Sequence, residues 1–209
     1  MTEQDRRPIA ARNTRLAQRT AAWLVAHGAS ADGISVAGML AALAAGACLA
    51  GAIPWSPGSR ALFAAAAILV QLRLLANLLD GMVAIGRGIA SPAGELFNEV
   101  PDRISDTAVF AGLGLAANQP ALGLAAAAAA MATAYIRAVG RGLGQGSDFA
   151  GPMAKQQRMA CVTAVCVACA LLPHRLTEPW PGIALWIILV GSLLTAARRL
   201  LRLHRGLRA

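Results

Sequence analysis

Long apolar runs separated by short polar turns constrain this 209-residue chain more than any other feature. The runs cover about residues 34–53, 60–79, 92–117, 121–140, 159–172 and 182–197, the third being apolar only in its second half. About 20 apolar residues suffice to cross a bilayer as an α-helix. Charged residues make up only 14% of the chain, whereas soluble domains carry about 25%. The sequence therefore predicts an all-α integral membrane protein with six transmembrane helices.

The N-terminal residues predict a helix that lies on the membrane rather than across it. In residues 9–27 several Arg side chains recur at helical spacing, and Trp23 stands near the end. A basic amphipathic helix that carries a Trp suits the interface between lipid and water. We expect residues 1–30 to form a cytoplasmic tail with this juxtamembrane helix, and residues 31–209 to form the transmembrane domain. A solvated helix packed on a partner is the alternative.

The distribution of basic residues predicts the orientation of the chain. Most of the nineteen Lys and Arg residues lie in the N-terminal region, in residues 80–106, in residues 137–158 and in the C-terminal tail. Cytoplasmic segments of membrane proteins carry the excess of basic residues, so we expect both termini in the cytoplasm and the chain in the cell inner membrane. This topology explains the net charge of +9, and no nucleic-acid partner is expected.

An acidic stretch stands out from the apolar background, because residues 77–106 hold five of the ten acidic residues. They are Asp80, Glu95, Glu99, Asp102 and Asp106. Arg73, Asn77 and Asp80 are spaced four and three apart, which places them on one face of the second span. Acidic groups at the edge of a bilayer are costly unless they bind something or meet water. We therefore take this stretch as the candidate functional site.

Two kinds of arrangement fit this stretch. Oxygen ligands spaced three and four apart on neighbouring helices can converge on one hard cation, Mg²⁺ or Mn²⁺, which is usually shared with a substrate phosphate. The Gly-rich residues 81–93, predicted to form a loop or a broken helix, would let the backbone approach a phosphate closely. Metal ligands at the cytoplasmic surface of a membrane indicate phosphoryl chemistry on a lipid. A helix interface of satisfied polar groups explains the spacing equally well.

The stretch resembles the signature of the CDP-alcohol phosphotransferase family, D-x2-D-G-x2-A-R-x8-G-x3-D-x3-D. Every spacing of that signature is kept in this chain. Five specified positions match: Asp80, Gly81, Ala84, Gly94 and Asp102. Three positions depart, with Asn77 and Asn98 in place of Asp and Ile85 in place of Arg. The resemblance extends to the architecture, since that family has a surface helix and six spans. The chain is identified as a divergent member.

The resemblance implies an activity and a set of roles. Family members transfer a phosphatidyl or similar group from a CDP-linked donor, such as CDP-diacylglycerol, to an alcohol and release CMP, in phospholipid biosynthesis. Asp102 is implied as the catalytic base. A divalent metal, Mg²⁺ or Mn²⁺, is implied on Asp80, Asp102, Asn77 and Asn98. CDP binding is implied at Gly81, Ala84 and Gly94. A homodimer is implied by the resemblance alone.

The departures from the signature weaken the expected metal site. An Asn side chain still offers a carbonyl oxygen, but each replacement removes one negative charge. We therefore expect weaker metal binding, with a single metal or with help from other acidic residues. Those residues are Glu95, Glu99 and Asp106. The loss of the signature Arg removes a cation that could contact a pyrophosphate, and Arg87 or Arg103 is the expected substitute.

Basic residues between the fourth and fifth spans are candidates for binding the acceptor. They are Arg137, Arg141, Lys155 and Arg158. In family members that use a phosphorylated acceptor, similar residues hold its phosphate, and Arg suits bidentate phosphate contact. Membrane topology alone explains these charges equally well.

Two other functions compete with an active enzyme. The first is a catalytically impaired family member that binds lipid or scaffolds a complex, which the two Asn residues favour. The second is a small transporter. It fits less well, because the acidic residues lie at the surface end of their helices rather than at the membrane midplane.

Overall fold

The computed structural model describes residues 10–52, 58–88 and 92–208. Within these ranges the chain is helical and contains no strand, as the abundance of Ala and Leu favours. A short 3-10 turn, Ala10–Asn13, precedes the α-helices. These are α1 (Arg15–Ala26), α2 (Ala31–Gly51), α3 (Ser59–Gly86), α4 (Pro92–Ala116), α5 (Pro120–Gly142), α6 (Lys155–Leu171), α7 (His174–Thr177) and α8 (Trp180–Gly206). The prediction of an all-α fold is confirmed.

Local signals in the sequence define where several helices begin. The Ser30 side chain accepts a hydrogen bond from the Gly33 backbone N–H at 3.0 Å and caps α2. Pro120 stands at the start of α5, where its missing N–H costs nothing. Asn118, in the turn before it, has a φ of 54°, which Asn tolerates better than most residues. The α4–α5 connection is therefore a tight turn.

Six long helices form a ring of neighbours around one apolar core. α2 packs against α3 and α4, α4 against α5, and α5 against α8, while α6 closes the ring between α8 and α3. Each helix contributes buried side chains to the core, among them Leu49, Val70, Phe110, Ala126, Val162 and Leu185. This shared core fixes the positions of the helix ends relative to one another.

Small residues let α2 and α4 approach closely. A Cβ built on Gly112 would lie 2.3 Å from the Gly46 carbonyl oxygen, and one built on Gly46 would lie 2.5 Å from the Ala108 carbonyl oxygen. Neither distance leaves room for a side chain, so both positions require Gly. Contacts between small residues of this kind are typical of helix packing in lipid.

Four helical segments of the described chain are long and apolar enough to cross a membrane: α2, α3, α5, and α7 together with α8. The chain is therefore an integral membrane protein, as predicted. α6 has only 17 residues, and the first half of α4 carries the acidic cluster. Six spans, and the division into two domains, stay a prediction.

The N-terminal helix is present, as α1. Two of its large apolar side chains are exposed, Leu16 by 77% and Trp23 by 59%, which suits a lipid surface. Its location on the membrane stays a prediction. Residues 1–9 lie outside the described residues.

The end of α3 differs from the prediction. The sequence predicts a loop or a broken helix at residues 81–93, but α3 continues to Gly86 and α4 begins at Pro92. Val83 is fully buried, so packing against the bundle outweighs the weak helix propensity of Gly81. Residues 89–91 of the link lie outside the described residues.

Helical structure also extends into the polar segments. α5 continues to Gly142 and α6 begins at Lys155, so the predicted polar segment 137–158 is non-helical only between them. The basic C-terminal tail continues α8 to Gly206. Residues that the sequence assigns to a loop or a tail therefore have defined positions on helices.

Candidate active site

Three polar residues on one face of α3 connect this helix to its neighbours, as their spacing predicts. Arg73 is 2% exposed, donates from Nε to Ser105 Oγ at 3.0 Å, and forms an ion pair with Asp102. Asn77 Nδ2 donates to the same carboxylate oxygen, Asp102 Oδ1, at 3.0 Å. Asp80, one turn further along α3, is also buried. The polar face of α3 is thus joined to the acidic half of α4.

Asp102 is the centre of the polar cluster. Its Oδ1 accepts the Asn77 hydrogen bond and is ion-paired with both Arg73 and Lys155. Among the described residues its Oδ2 has a single long contact, 3.5 Å from Arg103 Nη2. Asp102 therefore has one oxygen engaged by the protein and a second that is available to a ligand.

Asp80 has different surroundings. The Ser35 hydroxyl of α2 donates to its Oδ2 at 2.7 Å, and the Gly81 backbone N–H donates to its Oδ1 at 2.6 Å. Within the described residues no basic side chain forms an ion pair with it. Neutral donors alone hold this carboxylate in place.

A recess that is open to solvent adjoins Asp102. Its lining is strongly basic, with one carboxylate and one hydroxyl. The lining residues are Asp102, Arg103, Thr133, Ala134, Arg137, Lys155, Arg158 and Arg199. They come from α4, α5, α6 and α8, so the ring of helices creates the recess. Five basic side chains against one carboxylate suit the binding of an anion.

Two basic residues of the recess are held by acidic partners from α4. Arg137 is ion-paired with Glu99, and its guanidinium lies 5.1 Å from the centre of the Phe149 ring. Arg158 is 2% exposed, and its Nη2 lies 3.2 Å from Asp106 Oδ2. The Nε of each Arg is buried without a hydrogen-bond partner among the described residues. Each side chain is therefore positioned while keeping donor capacity for a ligand.

The recess includes one residue, Arg199, that the sequence interpretation missed. It is 4% exposed and donates to the carbonyl oxygens of Thr133 at 2.8 Å and Ala150 at 3.1 Å. By sequence it belongs to the basic C-terminal tail, and membrane topology accounts for the charge of that tail. A signal was nevertheless present, because Ser192, Thr195 and Arg199 are spaced three and four apart on α8 and are all buried. Ser35 and Ser105 were missed too, since a single Ser in an apolar helix gives no such pattern.

The structure brings most of the predicted chemical residues together. Asn77 and Lys155 each contact Asp102, and Arg137 and Arg158 line the recess beside it.

Other predicted residues lie apart or are only partly described. Asn98 is exposed, one turn before Asp102, and Arg141 is half-buried outside the recess lining. Gly81 and Ala84 are half-buried on α3. The surroundings of Gly94 and the side chain of Glu95 lie outside the described residues.

The two expected substitutes for the signature Arg, Arg87 and Arg103, have different surroundings. Arg87 donates to backbone carbonyls of the α1–α2 turn, with the shorter distance 3.0 Å. Arg103 contacts Asp102 on α4. A different residue, Arg12, lies close to the signature glycine, since its Nη2 would be 3.6 Å from a Cβ built on Gly81.

The oxygens of this cluster fit one divalent cation. Asn77 Oδ1 is buried and has no hydrogen-bond partner among the described residues. Together with Asp80 it offers an amide oxygen and a carboxylate, which suit Mg²⁺ when substrate phosphates complete its shell, whereas Asp102 is ion-paired with Arg73 and Lys155. No group of three or more His, Cys, Asp or Glu able to hold a metal occurs in the described part of the chain. The expected helpers Glu99 and Asp106 are paired with Arg side chains instead.

Two sequence relatives resemble this chain. A phosphatidylinositol phosphate synthase from Streptomyces avermitilis is 29% identical over 203 residues, covering 92% of this chain and 79% of the relative. An archaetidylinositol phosphate synthase from Aeropyrum pernix is 33% identical over 101 residues, covering 48% of this chain and 52% of the relative. No family model matches the chain.

Solved structures of the Mycobacterium tuberculosis phosphatidylinositol phosphate synthase PgsA1 share the fold. Its complex with manganese and citrate has a TM-score of 0.75 and 23% identity, covering 90% of this chain and 88% of that one. Its CDP-DAG-bound form has a TM-score of 0.75 and 22% identity, covering 91% of this chain and 94% of that one.

Fold and site together define a class, helical membrane proteins with a carboxylate cluster beside a basic recess. The chain resembles the CDP-alcohol phosphotransferase family in its signature spacing and in its sequence relatives, and it shares the fold of the PgsA1 structures.

Proposed function

We propose that this protein transfers a phosphatidyl group from CDP-diacylglycerol to a phosphorylated alcohol and releases CMP, as a step of phospholipid biosynthesis. The observation that carries the proposal is the basic recess beside Asp102. Carboxylates alone would suit any CDP-alcohol reaction, whereas five basic side chains next to the base suit an acceptor with its own phosphate. Both sequence relatives are named for inositol phosphate lipids, which supports an inositol phosphate as the acceptor.

In this proposal Asp102 is the general base. The acceptor phosphate binds among Arg137, Arg158 and Arg199, and its reacting hydroxyl faces Asp102 Oδ2, the less engaged oxygen. The hydroxyl oxygen forms a bond to the phosphorus of the phosphatidyl group, and its proton passes to Asp102. The bond from that phosphorus to the CMP oxygen breaks, and CMP leaves with the electron pair.

Asp80 and Asn77 hold a divalent cation, Mg²⁺ or Mn²⁺, on the donor side in this proposal. When bound, the cation supplies positive charge to the pyrophosphate and to the departing CMP. Ser35 and the Gly81 N–H orient Asp80 for this task. The manganese in the PgsA1 structure supports a divalent ion. CDP contacts are proposed at Gly81, Ala84 and Gly94, with Asn98 as a further metal ligand and Arg141 as a further acceptor contact.

The detailed topology belongs to the same proposal. α4 and α6 complete six spans, α1 lies on the cytoplasmic face of the inner membrane, and the site opens to the cytoplasm. The concentration of basic residues on that side supports this orientation. A homodimer is proposed from the family resemblance.

An assay of CMP release tests the proposal. Purified protein in detergent is mixed with CDP-diacylglycerol, Mn²⁺ or Mg²⁺, and one of four acceptors: inositol phosphate, glycerol phosphate, inositol or serine. We expect release with the phosphorylated acceptors and little with the others. Release that requires an unphosphorylated acceptor would overturn the assignment of the recess.

A lipid-binding or scaffolding role is the second candidate. One observation favours it, the convergence of Arg73, Asn77 and Lys155 on Asp102 Oδ1, which leaves this carboxylate well satisfied without substrate. In that case CDP-diacylglycerol would bind, but no acceptor would release CMP.

A further inference from the structure

Arg73 has no part in the proposed chemistry, although it is a charge buried inside a membrane-spanning helix. Such a charge is costly unless it is paired or functional. It is paired with Asp102 and Ser105, both on α4. On the other side, a Cβ built on Gly38 of α2 would lie 2.9 Å from Arg73 Nη1. Residues of α2 and α4 therefore surround this guanidinium closely, which indicates a specific role.

Asn77 acts on the same carboxylate. Its Nδ2 lies 3.0 Å from Asp102 Oδ1. An Asp at this position would place two carboxylates together, an arrangement that is unfavourable unless a cation bridges them. With Asn at position 77, the contact becomes a hydrogen bond and needs no bridging ion. The Arg73 guanidinium supplies positive charge at the same oxygen.

We propose that Arg73 and Asn77 take the place of a bridging metal ion at Asp102, so that the site holds a single divalent cation, on the Asp80 side. This inference rests on the proposed function and extends it.

The charge distribution supports a single cation on that side. Arg73 and Lys155 balance the negative charge of Asp102, whereas Asp80 has only neutral donors among the described residues. Asn77 Oδ1, buried and without a partner in the described part of the chain, remains as a ligand oxygen. A cation is therefore attracted to the Asp80 side and repelled from the Asp102 side.

Mn²⁺ binding to the metal-stripped, full-length protein in detergent, measured by electron paramagnetic resonance in the presence of CDP, tests this inference. We expect one Mn²⁺ ion per wild-type chain. Arg73→Met should tighten Mn²⁺ binding by about tenfold or more, because one unit charge close to a divalent ion has at least that effect. Arg73→Lys, which keeps the charge, should bind Mn²⁺ like the wild type. Arg60→Met, an exposed residue of the same helix, controls for total charge.

A second substitution serves if Arg73→Met does not fold. Asn77→Asp adds a carboxylate beside Asp102 and should tighten Mn²⁺ binding by about tenfold. Two Mn²⁺ ions per wild-type chain, no Mn²⁺ binding at all, or unchanged affinity in both variants would overturn the inference. These measurements need no turnover, so an inactive protein that binds one Mn²⁺ ion would contradict the proposed function alone.

Discussion

Two carboxylates of the same signature, Asp80 and Asp102, lie in opposite electrostatic surroundings. Asp102 contacts three basic side chains, those of Arg73, Lys155 and Arg103. Asp80 receives only hydrogen bonds from a hydroxyl and from a backbone N–H, and it has no ion-pair partner among the described residues. Asp102 is ion-paired with two buried basic side chains, whereas neutral donors orient Asp80 and Arg73 acts on it electrostatically without forming an ion pair.

This difference separates two tasks that share one residue type. A carboxylate without an ion-pair partner attracts a cation from solution, which supports the proposal that the donor and the metal bind on the Asp80 side. A carboxylate whose charge is already balanced, with its second oxygen facing a basic recess, is suited to meet a substrate hydroxyl. Neighbouring carboxylates in contrasting surroundings are a common basis for distinct catalytic roles.

The largest expected effect comes from Asp102→Asn. The amide keeps the size of the side chain and an acceptor oxygen for Lys155, but it cannot take a proton from the acceptor. We expect kcat for CMP release to fall by about a thousandfold, within the usual range for loss of a general base. Mn²⁺ affinity should change little, because Asp102 is not the attracting carboxylate. Asp32→Asn, at an exposed position, is the matched control. A wild-type rate of CMP release in Asp102→Asn would refute the assignment of Asp102 as the general base.

Asp80→Asn should show the opposite pattern. Loss of the carboxylate proposed to hold the cation should weaken Mn²⁺ binding by about a hundredfold, because charge on the ligand set determines affinity for hard cations. Part of the CMP release should return at high Mn²⁺ concentration, which cannot happen for Asp102→Asn. Equal losses of Mn²⁺ affinity in Asp80→Asn and Asp102→Asn would contradict the proposal that Asp80, rather than Asp102, attracts the cation.

Helical periodicity explains why the α3 side of the site could be predicted from the sequence. Arg73, Asn77 and Asp80 lie on one helix, so their spacing alone predicts a common face. The signature spacing likewise placed Asp102 at the start of the next helix. Periodicity within a single helix does not depend on tertiary structure, and this part of the prediction agrees with the geometry.

The basic side could be predicted only in part, because it depends on which helices meet. Lys155 begins α6 and Arg199 lies on α8, and only the closed ring of helices brings them to Asp102 and its recess. Because membrane topology already explained the basic residues of the C-terminal tail, Arg199 was not singled out as a site residue. The end of α3 was mispredicted for a related reason, since burial of Val83 by neighbouring helices outweighed a local Gly.

Arg137→Met tests the acceptor side with a smaller effect. Removing one phosphate contact should raise KM for inositol phosphate by about tenfold, the size of one charge-assisted hydrogen bond, with little change in kcat or Mn²⁺ affinity. Arg202→Met, at an exposed residue of α8 outside the recess lining, should change KM by less than about twofold. An equal rise in both variants would mean that the acceptor phosphate is not confined to the recess.

The smallest effect comes from a matched pair of buried serines, one at each carboxylate. Ser35→Ala removes the 2.7 Å hydrogen bond to Asp80 and should weaken Mn²⁺ binding by about fivefold, as expected for one neutral hydrogen bond. Ser105→Ala removes a contact of Arg73 on the Asp102 side and should leave Mn²⁺ affinity within about twofold. CMP release at saturating Mn²⁺ should be retained in Ser35→Ala, because the base is untouched. If Ser105→Ala weakened Mn²⁺ binding as much as Ser35→Ala, the cation would have to contact both carboxylates equally.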